Sequence, residues 1–282
     1  MRSPARLLPH LTARLERAGG GSARTEAGLL IEAASGRPRL LLPADTTPLE
    51  QAQLDLLETW VRRREAREPL QLILGSTEFH GLTLRVDRGV LIPRPETELL
   101  TELALERLAG LEAPLVLDVG CGSGAIGLAI RHARPDARVC GTDIAPDALR
   151  LAARNARELG LELELFEADL LDSSAVRELA RQADLLVSNP PYLPEADLHA
   201  VSPEVRSEPG LALYAGPDGL AVYRKLLGQA GQLLKPGAVI ALELDPRNVH
   251  EAASEAAAAG WGRPEVVADL TGKARFLFLE KT

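Results

Sequence analysis

From Pro114 onward the chain alternates short apolar runs with longer segments of helical period, and that alternation leaves few folds open. Parallel strands need long crossover connections, which helices supply, so a strand-helix series predicts a parallel sheet covered on both faces. Strands are expected at 115–119, 138–143, 161–167, 184–188, 238–244, 265–268 and 275–280, and helices near 124–133, 146–159, 173–182, 217–233 and 247–259. The last two strands lie close together with Thr271-Gly272 between them, so they read as an antiparallel hairpin. The expected class is α/β, with a Rossmann-like sheet of seven mostly parallel strands. In such open sheets ligands bind at the C-terminal edge of the strands.

Two strand ends at that edge carry chemistry. The first strand runs into Asp118-Val119-Gly120-Cys121-Gly122-Ser123-Gly124-Ala125-Ile126-Gly127. Glycines at 120, 122 and 124 permit a tight turn into a helix and close approach of a ligand to the backbone. Residues 122–127 also fit G-x-G-x-x-G, a pattern that serves nicotinamide, flavin or other adenosine cofactors. Asp143 ends the second strand, placed to accept both ribose hydroxyls, and Asp169, followed by Leu170, ends the third, where a carboxylate can accept from an adenine amino group. Any one of these aspartates alone could be a helix N-cap. Together with Asp118 beside the glycine turn they suit a ligand with an ammonium and no pyrophosphate, which favours S-adenosylmethionine.

The second strand end is Val187-Ser188-Asn189-Pro190-Pro191-Tyr192. Proline offers no N–H and holds its predecessor extended, so regular pairing stops and Asn189 is left at the edge of a central strand. Its amide carries a donor and an acceptor and can hold another planar N–H group in a fixed plane. Taken alone, the segment is equally a proline-rich turn after a core strand.

Residues 1–75 read as a small helical domain. Leu7, Leu8, Leu11 and Leu15 recur at helical spacing, Gly19-Gly20-Gly21 breaks the pattern, and Thr47-Pro48-Leu49-Glu50 has the form of a helix start. Arg62, Arg63, Arg64 and Arg67 are read as a solvated helix face rather than a docking patch. Residues 76–92 change to period two, and two short strands about a turn at Asp87-Arg88-Gly89 would join the helical domain to the domain 93–282. The net charge of −8 argues against a large nucleic-acid footprint. No apolar run approaches the ~20 residues that span a bilayer, the N-terminus has no signal-peptide core, and Cys121 and Cys140 make no disulfide or metal framework. A reducing cytoplasm fits, with no metal, and a monomer is expected because no large apolar face stands out.

Nearly the whole chain resembles the protein-(glutamine-N5) methyltransferases of the HemK/PrmC type, which modify class I peptide-chain release factors. The resemblance rests on Glu78-Phe79-His80-Gly81-Leu82, on Leu91-Ile92-Pro93-Arg94-Pro95-Glu96-Thr97-Glu98, on the loop Asp118 to Gly124, on Asn189 to Tyr192, and on Glu208-Pro209 with Gly216-Pro217-Asp218-Gly219-Leu220. The chain departs from the pattern at Leu72-Ile73-Leu74-Gly75 and at Asp245-Pro246-Arg247-Asn248, which puts local packing and partner affinity in question. The resemblance implies a class I S-adenosylmethionine-dependent methyltransferase sheet and methylation of the glutamine in a release factor's Gly-Gly-Gln loop, with S-adenosyl-L-homocysteine as product and the helical domain holding the partner. Asp118, Gly120, Cys121, Gly122, Ser123, Gly124, Asp143, Asp169, Leu170 and Asn189 would then hold the cofactor. Asn189, Pro190, Pro191 and Tyr192 would hold the substrate amide, with Asn189, Pro190 and Tyr192 catalytic. Three other readings stay open: a methyltransferase of adenine N6 or guanine N2 in nucleic acid, a non-catalytic adenosine-cofactor module, and, from the glycine loop alone, a nicotinamide dehydrogenase.

Overall fold

The computed structural model describes residues 2–19 and 22–282, which fall into two units. The first holds the chain up to Ser76 together with Ser202–Ser207. Its helices are α1 (Pro4–Arg17), α2 (Ala23–Ser35), α3 (Gln51–Glu65) and α4 (Leu70–Leu74). Leu7, Leu8, Leu11 and Leu15 form one buried stripe of α1, packed in a cluster with Leu30, Ile31, Leu57 and Val61. Gly20 and Gly21 of the expected helix break lie outside the described residues. Helix α3 begins later than Thr47 suggests: Glu50 occupies the N-cap, and its N–H donates to Gln53 Oε1 at 3.0 Å.

The arginine run is a set of ion pairs rather than a solvated face. Arg64 is buried and bonds Glu26 and Glu204, at 2.8 and 2.9 Å. Arg67 bonds the same Glu204 at 2.6 Å, Arg63 bonds Glu68 at 2.7 Å, and Arg62 bonds Glu58 at 2.9 Å. A buried guanidinium requires such partners, because desolvating it unpaired is costly. The Arg67 and Arg64 guanidiniums hold the Glu204 carboxyl down at about 2.

The second unit comprises residues 77–201 and 208–282. The hairpin strands are β1 (Ser76–Phe79) and β2 (Leu82–Arg85). Their turn is His80-Gly81 and not Asp87-Arg88-Gly89. Both turn residues have positive φ, 48° and 77°, the conformation whose twist matches paired strands in a two-residue hairpin. Residues 90–94 are then irregular and lead into α5 (Pro95–Arg107).

The main sheet is built from β3 (Leu115–Val119), β4 (Arg138–Asp143), β5 (Glu164–Glu167), β6 (Leu185–Ser188), β7 (Val239–Glu243), β8 (Glu265–Ala268) and β9 (Ala274–Glu280), in the order β5-β4-β3-β6-β7-β9-β8. The five strands from β5 to β7 are parallel, while β9 runs antiparallel to both β7 and β8, as the short last connection requires. Helices α6 (Ala125–Ala133), α7 (Pro146–Leu159) and α8 (Ser174–Gln182), with α5 and the helices Ala221–Leu233 and Val249–Ala258, pack on the sheet. All five residues of β3 and all four of β6 are buried, the pattern of a sheet covered on both faces. Strand order reverses between β3 and β6, so the crevice outside their C-terminal ends is the switch point where such sheets bind ligands. Across it the buried Ser188 hydroxyl donates to the Val119 carbonyl at 2.6 Å. No helix among the described residues is long and apolar enough to cross a membrane.

Candidate active site

A cavity of about 420 Å³ opens at this switch point, within the usual size range of small-ligand sites. Gly120 to Ser123, Asp143, Asp169, Leu170 and Asn189 line it, joined by Val90, Arg94, Thr97, Leu211 and Lys225. The glycine loop forms its floor. Gly120, Gly122 and Gly124 all have positive φ, which only glycine adopts without strain, and a Cβ at Gly124 would press at 3.2 Å on Ala152, Leu128 and Leu163. The N–H groups of Gly120 and Cys121 both donate to the Thr142 carbonyl, at 2.8 and 2.9 Å, which locks the turn onto β4.

Asp143 braces the same turn. One carboxylate oxygen accepts from Gly122 N–H and the other from Ala145 N–H, both at 2.9 Å. A carboxylate has about four acceptor positions, so each oxygen keeps one for a ligand hydroxyl. From below, the buried Asn155 of α7 donates to the Ser123 carbonyl at 2.9 Å and exchanges bonds with the backbone of Arg85.

Asp118 lies behind the loop, fully buried and outside the cavity lining. Its Oδ2 accepts from Gly127 N–H at 2.9 Å, while Oδ1 has no partner. Burial pushes its carboxyl up to about 7, opposed by the Gly127 bond and assisted by the Asp143 charge. Cys121 lines the cavity, but burial and the charges of Asp118 and Asp143 push its thiol well up, which leaves it unreactive. Asp169 lies beyond the end of β5, and its carboxylate is paired with Lys225, so the acceptor expected for an adenine amino group already faces a cation. Leu170 stands beside it with φ 61°.

On the opposite wall Asn189 Nδ2 donates to the Thr97 hydroxyl at 3.0 Å. Thr97 donates onward to Glu243 Oε2 at 2.8 Å, and the Tyr192 hydroxyl reaches Glu243 Oε1 at 3.4 Å. Burial raises the Glu243 carboxyl, and burial and the Glu243 charge raise the Tyr192 phenol, which keeps the phenol protonated and a donor. Pro191 lines the cavity, while Pro190 and Tyr192 stand outside its lining. Gly219, with φ 79°, presses on this segment so closely that a Cβ there would lie 2.2 Å from the Tyr192 carbonyl oxygen. At the rim the buried Glu208 accepts from Ile92 N–H at 3.1 Å and pairs with Arg94, tying the lining residues Pro93 and Arg94 to Pro209, Leu211 and Ala212.

Sequence reasoning named the loop, the aspartates and Asn189. It passed over Asn155, Thr97, Glu243, Lys225 and the Glu208–Arg94 pair as site residues, because their partners are distant in the chain. Thr97 and Glu208 do lie within the runs that carry the resemblance.

The residues fit an adenosine cofactor with an ammonium: a glycine cradle open to the cavity, a carboxylate with two spare acceptor positions, and a buried carboxylate oxygen lacking a partner. Residues 93–204 match the Methyltransferase small domain and residues 6–75 the PrmC N-terminal domain. The chain is 46% identical over 273 residues to a release factor glutamine methyltransferase of Deinococcus radiodurans, covering 96% of each. It is 43% identical over 267 residues to one of Moorella thermoacetica, covering 93% of each. The fold is shared with a solved T. thermophilus 16S rRNA N2 G1207 methyltransferase in complex with AdoMet and guanosine, at TM-score 0.53 and 22% identity, over 73% of this chain and 50% of that one.

Proposed function

This chain belongs to the release factor glutamine methyltransferases, and from that premise we propose how its residues carry out the reaction. The enzyme transfers a methyl group from S-adenosyl-L-methionine to the side-chain amide nitrogen (N5) of the glutamine in the Gly-Gly-Gln loop of a release factor. Gly120 to Gly124 would hold the cofactor by their backbone and Asp143 would accept from its ribose, while Asp118, behind the loop and outside the lining, would act on its ammonium through charge alone. When bound, S-adenosyl-L-methionine supplies an electrophilic sulfonium methyl, and S-adenosyl-L-homocysteine is left as product.

A carboxamide nitrogen is a weak nucleophile because its lone pair is delocalised into the carbonyl. The protein therefore contributes orientation and electrostatics rather than a strong base. Asn189 Oδ1 accepts one N–H of the substrate amide and the Pro190 carbonyl accepts the other. Both bonds favour a pyramidal nitrogen with its lone pair aimed at the methyl, and the surplus proton passes to water after transfer. Tyr192, outside the lining with its hydroxyl toward Glu243, backs the wall that Asn189 and Pro191 present. The observation that carries this reading is the tether of Asn189 Nδ2 to Thr97 in the cavity wall, which reserves Oδ1 for a donor.

The substrate is a class I release factor, held by the helical unit. The enzyme works as a monomer in the cytoplasm, and the net charge of −8 supports the further reading that it does not touch nucleic acid directly. Transfer of labelled methyl to a purified release factor tests the function, beside a factor whose Gly-Gly-Gln glutamine is changed to alanine. Label on the first and none on the second is expected. No label on either, with cofactor binding intact, would overturn the reading and bring nucleic-acid substrates forward.

A further inference from the structure

We propose that Glu243, acting through Thr97, fixes which end of the Asn189 amide faces the substrate, so that both are positioning residues for methyl transfer. The inference rests on the reading of Asn189 as acceptor for the substrate N–H, and it follows from counting protons. A threonine hydroxyl has one hydrogen, and an ionised carboxylate only accepts. The 2.8 Å contact between Thr97 Oγ1 and Glu243 Oε2 therefore takes that hydrogen. Thr97 can then only accept from Asn189 at 3.0 Å, so Nδ2 must point at Thr97 and Oδ1 away from it.

The opposite orientation would present an NH₂ to an amide N–H and repel it. If Glu243 is protonated it can donate to Thr97, whose hydrogen is then free to bond Asn189 Oδ1, and the amide turns over. The groups facing Glu243 are Thr97 and Glu96 of α5, the Tyr192 phenol after β6 and Arg275 of β9. Burial and Glu96 favour protonation, while the Thr97 bond, Arg275 and Tyr192 oppose it. None of these groups lies on the strand that carries Glu243.

The test is a set of variants read by single-turnover methyl transfer across pH, cofactor affinity by calorimetry, and thermal stability. Thr97→Val and Glu243→Met should slow transfer by about tenfold to a hundredfold, the scale of one misplaced hydrogen bond in a reacting geometry. Cofactor affinity should stay within about twofold of wild type, since neither group supports the glycine loop, and Thr97→Ser should retain the rate. Glu243→Gln should keep much of the rate, because one orientation of its amide still accepts from Thr97, but lose the acid limb of the wild-type pH profile.

The sharpest arm is a reversal. Asn189→Asp alone needs a hydrogen from Thr97 that Glu243 already holds, and should be slow. In the double variant Asn189→Asp/Glu243→Gln, the introduced amide donates to Thr97, Thr97 donates to the introduced carboxylate, and the rate should recover at least about tenfold over Asn189→Asp. Full activity of Thr97→Val and Glu243→Met beside an inactive Asn189→Ala would overturn the relay while leaving Asn189 in its role. Full activity of Asn189→Ala would overturn the reading of Asn189 itself, and the relay with it. A fall in cofactor affinity and melting temperature parallel to the rate, with no recovery in the double variant, would make Glu243 merely structural.

Discussion

Replacing Asp118 by asparagine should make the cofactor-free protein more pH-tolerant while weakening its hold on the cofactor. Asp118 is fully buried with one oxygen unpartnered, and its carboxyl stands at about 7 against an ordinary 3.8. Between those two values the folded protein binds more protons at this site than the unfolded chain. Unfolding free energy therefore falls as pH rises through this window, and the contribution is lost above about 7. Integrated from pH 5 to pH 8 the loss is roughly 2–3 kcal/mol. The Asp118→Asn variant lacks this titration and keeps an oxygen for Gly127 N–H, but buries an NH₂ without a partner at a pH-independent cost of about 1–3 kcal/mol. Denaturant unfolding at both pH values reads the difference. The stability gap should move by roughly 2–3 kcal/mol in favour of the variant from pH 5 to pH 8, about 5–10 °C in melting temperature. A gap that does not change with pH would refute the buried, proton-binding carboxyl. In the wild type, affinity for S-adenosyl-L-methionine should weaken as pH falls below 7, because the proposed ammonium partner must be ionised, and Asp118→Asn should bind more weakly with a flat profile.

Asp143→Ala should weaken cofactor binding by about tenfold to a hundredfold, the scale of one or two lost bonds to a charged acceptor; calorimetry showing unchanged affinity would remove its ribose role. Gly219→Ala should lower the melting temperature, because φ 79° alone costs about 1–2 kcal/mol for an L-residue and the new Cβ would collide with the Tyr192 carbonyl. Its transfer rate should drop further than its cofactor affinity, and a variant with normal stability and rate would show that this close approach is not needed. Glu208→Ala should loosen both rims of the cavity, costing about 1–3 kcal/mol of stability with weaker cofactor binding, and denaturation with calorimetry reads the two together; wild-type values in both would show that the Arg94 pair holds neither rim.

The parallel sheet and the glycine loop were legible because their causes are local. Apolar runs at 115–119 and 184–188 are buried strands whatever surrounds them, and positive φ at Gly120, Gly122 and Gly124 follows from a tight turn. Asn189 was legible because two prolines end its strand. Hydrogen-bond partners were not: Thr97 and Glu243 are 146 residues apart, and Asn189 and Thr97 are 92 apart. Only the order of strands around the switch point brings them together. The same limit hid the Lys225 partner of Asp169 and the buried pairing of Arg64. At the hairpin, Asp87-Arg88-Gly89 drew attention by composition, while the turn itself is made by His80 at φ 48° with Gly81, and histidine is not a usual first turn residue.

The departure at Asp245-Pro246-Arg247-Asn248 sits beside the substrate wall, and its bonds show what it affects. Asp245 accepts from Arg247 N–H at 2.9 Å and from its guanidinium at 2.6 Å, and the same guanidinium reaches Asp197 at 2.6 Å. Asn248 Nδ2 donates to the Asp218 carbonyl at 2.6 Å, the residue before the glycine that presses on Tyr192. Asp245, Arg247 and Asn248 therefore brace the back of the Asn189-to-Tyr192 segment and the start of the loop beyond it. None of them bonds Asn189, Thr97 or the cradle. Variation here can change how firmly Tyr192 is backed and how the loop from 193 is anchored, while the proton count that orients Asn189 depends on Thr97 and Glu243 alone.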